Sequence, residues 1–365
     1  MKSIGIVCYP TFGGSGIIAS ELGRGLSKNY NIHFISYKKP VRFDPTNHNF
    51  YYHKVNVPLY PLFEYPPYEL ALTTTIVEVV KKYNLDIIHV HYAIPHAYAA
   101  VNAQQILLDQ NIKIPIITTL HGTDITLVGK SPDVISAVNY AINKSSMVTT
   151  VSESLKLDTL KYFDIKQDIK VIPNFIDIKK SSFVSKKNHQ KKIIHISNFR
   201  PVKRVLDVIR VFDHISKKIP AELVLIGDGP DFQKAKILAN KKGLKTKIDF
   251  VGKSRKINEA LIHADLFILP SESESFGLVA LEAMSFGVPV IATSSGGIES
   301  LVINNKNGYT CKVGDISDMS SKAIGLLLDQ VLYEKMSASA YDTAKQYDIT
   351  RILPMYESCY LSLLS

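Results

Sequence analysis

A chain of 365 residues, 46% of them hydrophobic, is too long for one ordinary domain and suits two cores of ~150–200 residues each. Its net charge of +10 comes from lysines spread along the sequence with no aromatic-interleaved basic helix, which reads as a solvated surface and argues against nucleic acid as a partner. No apolar run approaches the ~18–20 residues of a membrane span, and Cys8, Cys311 and Cys359 share no metal-ligand or redox spacing, which excludes stable membrane insertion and a disulfide scaffold and points to a reducing, cytoplasmic setting.

Met1-Lys-Ser-Ile-Gly-Ile-Val-Cys8 has no separate charged and apolar regions and reads directly as a first strand. Strands are expected at residues 4–9, 32–36, 51–57, 86–91, 116–120, 147–151 and 170–172, with helices near 16–27, 69–83, 96–110, 132–143 and 153–162. The lysine- and serine-rich residues 178–192 form the best linker between a first domain, 1–177, and a second, 193–348. The second series has strands at 193–196, 223–226, 247–251, 266–269, 290–292 and 308–311. Its helices fall near 202–216, 231–242, 257–263, 277–285 and 297–304, followed by 316–328, 332–346 and 349–364. The terminal segment, 349–365, is a candidate to pack back on the first domain. Alternating strands and helices define an α/β class with mainly parallel sheets. Two Rossmann-like halves facing a central cleft, with ligand bound at strand carboxyl ends, are the expected architecture.

The chemistry-bearing motifs fall at those carboxyl ends. After the first strand comes Gly13-Gly-Ser-Gly16, where glycines let backbone approach a ligand and aim helix-start amides at an anion. It is neither a phosphate-binding loop with Gly-Lys-Ser/Thr nor a dinucleotide fingerprint, because Tyr37-Lys38-Lys39 follows the second strand where an acid belongs. His121-Gly-Thr-Asp124 ends another strand and makes His121 a candidate ligand contact, whereas His89 reads as structural. No histidines have zinc spacing, so no metal is expected. In the second half, Arg200, Lys203 and Arg204 cluster at a strand end and suit a pyrophosphate. Gly227-Asp-Gly-Pro230 is either a close approach to a ligand or a simple reversal, and Ser294-Ser-Gly-Gly-Ile298 is a further glycine turn. Glu274 and Glu282, eight positions apart, bracket a helix start that offers free N–H groups to a phosphate, with carboxylates for sugar or ribose hydroxyls.

Together, the Gly-Gly-Ser-Gly loop, the His-Gly-Thr-Asp strand end, the basic cluster, Gly-Asp-Gly-Pro and the Glu-x7-Glu stretch ending Glu-Ala-Met-Ser-Phe-Gly-Val-Pro289 resemble the retaining glycosyltransferases of family four, with their two-domain GT-B fold. The resemblance spans nearly the whole chain, and its Glu-x7-Glu stretch is the specific part. Within the family, Leu120-His-Gly-Thr-Asp-Ile-Thr126 and Ser197-Asn-Phe-Arg-Pro-Val-Lys-Arg204 are similar to the branch that opens bacillithiol biosynthesis. That resemblance implies UDP-N-acetylglucosamine as donor and L-malate as acceptor, both substrates, with no cofactor. It assigns ribose to Glu282, the sugar hydroxyls to Glu274, and sugar and phosphate to amides of Ser275, Phe276, Gly277 and Leu278. Lys203 with Arg200 or Arg204 would hold the pyrophosphate, His121 the donor sugar, and Gly14, Gly16 and Asn198 further donor contacts. Many relatives carry Gly-Arg where this chain has Ser197-Asn198, so the arginine role moves to Arg200 or Arg204. Ser15, Tyr92 and Thr123 are the acceptor-side candidates. Two other readings stay open, a family member with a lipid-linked sugar or inositol phosphate as acceptor and a non-catalytic nucleotide-sugar-binding protein. Assembly of copies is also left open.

Overall fold

The computed structural model describes residues 1–11, 13–59, 61–62, 64–181, 190–254 and 256–364. The chain divides into two compact units, one of Met1–Asn174 with Ile349–Ser365 and one of Phe175–Asp348. The first contains β1 (Lys2–Val7), β2 (Tyr30–Ser36), β3 (Phe50–Lys54), β4 (Ile87–His91), β5 (Ile116–Leu120), β6 (Met147–Thr150) and β7 (Ile169–Val171). They form one sheet in the order β3-β2-β1-β4-β5-β6-β7, parallel throughout. The second contains β8 (Lys191–Ile196), β9 (Ala221–Ile226), β10 (Ile248–Gly252), β11 (Leu266–Leu269), β12 (Val290–Thr293) and β13 (Gly308–Cys311). Its order is β10-β9-β8-β11-β12-β13, again all parallel.

Parallel neighbours need helical crossovers, and these cover both sheet faces. That is why the non-alternating apolar strands β4, β5, β11 and β12 are buried at every position. The helix Val205–Ser216 shows the complementary pattern. Val205, Val208, Ile209, Phe212 and Ile215 form a stripe at helical spacing and enter a core with Phe199, Leu225 and Ile268. Burying each such side chain contributes about 1.5–3 kcal/mol. In the first unit, Leu72, Ile76, Val79 and Val80 of the helix Tyr68–Tyr83 pack on Ile88, Val90 and Ile116 in the same way. The terminal helix Ile349–Leu364 buries Ile352, Tyr356, Cys359 and Tyr360, and Tyr360 Oη lies 2.8 Å from His89 Nδ1.

In each sheet the strand order turns back at the first strand, between β1 and β4 and between β8 and β11. Crossovers on either side of such a point leave toward opposite faces, which opens a crevice at the carboxyl ends there. This placement matters for the motifs.

Two local expectations differ from the structure. Residues 297–304 form only the short 3-10 turn Gly297–Ser300. The Asn307 side chain accepts from Ile303 N–H at 2.8 Å and donates to the Leu301 carbonyl at 2.9 Å, taking backbone groups that a helix would pair. The strand expected at 51–57 ends at Lys54. Residues 182–189, at the centre of the expected linker, lie outside the described residues, and β8 already begins at Lys191.

Candidate active site

In the first unit, β1 leads into the helix Gly14–Leu26, whose N-cap Gly13 provides no side-chain cap and whose first turn carries no acid. Among the described residues its leading N–H groups meet no acceptor, which leaves them for solvent or a ligand. Gly14 is exposed, Ser15 half-buried and Gly16 buried. A Cβ on Gly16 would stand 2.3 Å from the Thr11 carbonyl oxygen and 2.7 Å from that of Tyr9, so only glycine lets the loop fold this tightly. Ser15 Oγ lies 2.7 Å from Tyr92 Oη at the end of β4, and the Tyr92 ring sits 5.3 Å from that of His121 at the end of β5. The topology thus gathers Ser15, Tyr92 and His121 beside the β1–β4 switch point, with half-buried Thr123 two residues beyond His121.

The turn that holds His121 depends on Asp124. Its carboxylate accepts from the N–H groups of Ala93 at 2.9 Å, Gly122 at 2.9 Å and His121 at 3.2 Å, tying the ends of β4 and β5 together. Burial raises the Asp124 pKa while these donors pull it back. Asp124→Ala is expected to destabilise the protein by about 3–5 kcal/mol, because buried donors lose their acceptor at one stroke. Urea unfolding checks this, and an unchanged midpoint would remove Asp124 from its role. Nε2 of His121 lies 2.8 Å from Nδ1 of His91. Burial pushes His121 down to about 3, so the ring is neutral at physiological pH. His89, read as structural, is fully buried and bonded at both ring nitrogens, to Tyr360 and Thr119.

In the second unit, β8 ends in the 3-10 turn Pro201–Lys203, and Arg204, at φ 49°, opens the helix Val205–Ser216. Lys203 Nζ lies 2.6 Å from Glu274 Oε1, and Ser271 Oγ donates to that same oxygen at 2.7 Å. The lysine and the first glutamate of the pair are therefore one partly buried unit. The two arginines part company. Arg204 is held between two carboxylates, its Nε by Asp207 and its Nη1 by Glu272 at 2.8 Å. Arg200 keeps a buried Nε with no hydrogen-bond partner among the described residues. Asn198 is exposed on the same loop.

Glu274 is anchored through its backbone as well. Its carbonyl accepts from Gly297 N–H at 2.7 Å, and a Cβ on Gly296 would stand 2.5 Å from that oxygen. The turn at Ser294–Ile298 thus supports Glu274. Ser275 is half-buried, and Gly277, at φ 88°, caps the helix Leu278–Met284. The Phe276 ring is buried edge-on against Tyr347, 5.6 Å between centroids, and Leu278 is buried too. What those two offer a ligand is backbone. Glu282 is half-buried within the same helix. The Gly227–Pro230 alternatives resolve toward packing, because a Cβ on Gly227 would meet the Ser197 carbonyl oxygen at 1.8 Å and one on Gly229 that of Asn198 at 2.3 Å. These glycines lie beneath the loop that carries the cations.

Three contributors were not singled out by sequence reasoning: His91, Asp124 and Ser271. Asp124 left a signal, since an Asp two residues after a glycine at a strand end is typical of side-chain-stabilised turns. His91 and Ser271 left none, because their partners come from another strand or from a loop conformation. Among the described residues no group of three or more His, Cys, Asp or Glu could hold a metal ion, and no helix is long and apolar enough to cross a membrane. In the second unit, a paired lysine and glutamate, an arginine whose Nε has no hydrogen-bond partner among the described residues and the helix start after Gly277 follow the two strands at the β8–β11 switch point, an arrangement that suits a sugar phosphate.

Comparison with known proteins defines the class. Residues 12–180 match the family described as glycosyltransferase family 4, and residues 177–343 match glycosyl transferases group 1. The chain belongs to the family-four glycosyltransferases and is a glycosyltransferase with the GT-B fold. Among particular relatives, it is 42% identical to the N-acetyl-alpha-D-glucosaminyl L-malate synthase of Bacillus anthracis, over 99% of this chain and 97% of that protein. It is 26% identical to an uncharacterized glycosyltransferase of Methanocaldococcus jannaschii over 93% of this chain and 92% of the relative. The fold matches sucrose-phosphate synthase from Thermosynechococcus elongatus with a TM-score of 0.82 at 17% identity, covering 100% of this chain and 99% of that one. It matches Anabaena HepE in complex with UDP equally well, at 0.82 and 18% identity, covering 99% and 100%.

Proposed function

We propose that this enzyme transfers N-acetylglucosamine from UDP-N-acetylglucosamine to the hydroxyl of L-malate with retention of the α configuration, the opening step of bacillithiol biosynthesis. The observation that carries this reading is the 42% identity, over almost the full length of both chains, to a protein named for that product. The UDP bound in a neighbour of the same fold supports the donor class. Glu282 takes the ribose hydroxyls, Glu274 the sugar hydroxyls, and the amides at Ser275–Leu278 the sugar and phosphate. Lys203 and Arg200 neutralise the pyrophosphate, which makes UDP a good leaving group without requiring a metal. His121 contacts the donor sugar, Gly14 and Gly16 present backbone to it, Asn198 borders the phosphate, and Ser15, Tyr92 and Thr123 receive malate.

In the proposed step the bond from the anomeric carbon to the β-phosphate oxygen breaks and a bond to the malate hydroxyl oxygen forms on the same face. The malate proton passes to the departing phosphate oxygen. Glu274, already occupied by Lys203 and Ser271, serves as an orienting group and not as a covalent nucleophile. UDP release should appear when donor and L-malate are mixed, and NMR of the product should show an α linkage. A β linkage overturns the mechanism. Release with a different hydroxyl acceptor and none with malate overturns the acceptor.

The arginine assignment is separately testable. Arg200→Ala is expected to weaken UDP binding by about 10–100-fold, the loss of a charge-assisted contact. Arg204→Ala, whose partners are Asp207 and Glu272, should change it by less than about 3-fold. Calorimetric titration with UDP decides, and the reverse ranking transfers the role to Arg204.

A further inference from the structure

The contact between His91 and His121 fixes more than a distance. Nδ1 of His91 and Nε2 of His121 are 2.8 Å apart, so one proton lies between them. Burial holds both rings neutral, His121 at about 3 and His91 well below its ordinary value. Two arrangements satisfy that contact. In the first, His91 Nδ1–H donates to His121 Nε2, His91 Nε2 is a bare acceptor, and His121 keeps its proton on Nδ1. In the second, His121 Nε2–H donates, His91 carries its proton on Nε2, and His121 Nδ1 is bare.

His91 is fully buried, and its Nε2 has no hydrogen-bond partner among the described residues. The second arrangement strands a buried N–H there; the first leaves only an unfilled lone pair. Orphaned buried N–H groups are the rarer of the two in folded proteins. Turning the ring over gives no escape from this choice, because it would carry Nδ1 away from His121 and lose the 2.8 Å contact.

We propose that His91 is a positioning residue that holds His121 in its Nδ1–H tautomer, making the half-buried His121 ring a hydrogen-bond donor to its ligand. The ligand atom it meets must then be an oxygen lone pair, and His121 cannot take a proton from an acceptor hydroxyl. Resting on the reading proposed above, that oxygen belongs to the transferred sugar, and the proton of malate leaves by way of the phosphate.

The test uses full-length protein labelled with 15N-histidine, with the two residues assigned from the signals lost in His91→Asn and His121→Asn. Long-range proton–nitrogen NMR should report protonated Nδ1 and bare Nε2 for both His91 and His121. A protonated Nε2 on either overturns the proposal, whatever the substrate proves to be, so this result is independent of the malate assignment. Kinetics supply the second readout. His91→Asn restores an N–H near the Nδ1 position and should keep kcat within about 3-fold, while His91→Leu should lose about 30-fold or more at similar melting temperature. Equal losses in the two variants also overturn it.

Discussion

Lys203→Ala is expected to lower kcat/KM by about 10³-fold, the upper part of the range for removing one preorganised charge-stabilising donor. Two losses add. On the proposed assignment the pyrophosphate loses a cation as charge develops on it, and Glu274, which shares a 2.6 Å ion pair with Lys203, is left as a partly buried carboxylate without its cation. Adding Glu274→Gln to the lysine variant removes the stranded charge and should not lower activity by the product of the two single losses. Ser15→Ala, which removes one neutral hydroxyl shared between Tyr92 and the proposed malate site, should cost about 10-fold or less. Steady-state kinetics with saturating L-malate read all four proteins. Equal losses for Lys203→Ala and Ser15→Ala would sink the pyrophosphate assignment.

The second large effect is expected at a glycine packed beneath the loop that carries the cations. In Gly227→Ala the new Cβ falls 1.8 Å from the Ser197 carbonyl oxygen, and the backbone there stands at φ 140°. The clash is with backbone, so the loop from Ser197 to Arg204 has to move. A loss of about 3 kcal/mol or more in stability is expected, with at least a 10-fold loss of UDP affinity because Arg200 and Lys203 ride on that loop. Urea unfolding and UDP titration measure the two separately. Weakened stability with unchanged UDP affinity would show that the loop does not carry the phosphate contacts.

Local chemistry made much of this protein readable in advance. Apolar runs without polar alternation, such as Ile87-Ile88 and Ile116-Ile117, identify strands covered on both faces before any pairing is known. Glycines at strand-to-helix junctions mark tight turns, and Gly16 and Gly296 pack against neighbouring carbonyl oxygens where any side chain would clash. The expectation of a helix at 297–304 failed for an equally physical reason. Propensity does not reveal that the Asn307 side chain will bond to Leu301 and Ile303 and replace their helical partners.

By itself, then, the sequence determined the two α/β series, the strand ends that carry chemistry, and the membership in family four, because periodicity, turn residues and motif spacing are local properties. Tertiary structure decided what each charged or polar group is free to do. Arg200 and Arg204 lie four positions apart on one loop, yet Glu272, 68 residues beyond Arg204, engages one and not the other. Glu274 meets Lys203 across 71 residues, and His121 meets His91 across 30. Such pairings follow from which parallel strands lie side by side, β8 with β11 and β4 with β5, and that order is set by the packing of whole sheets.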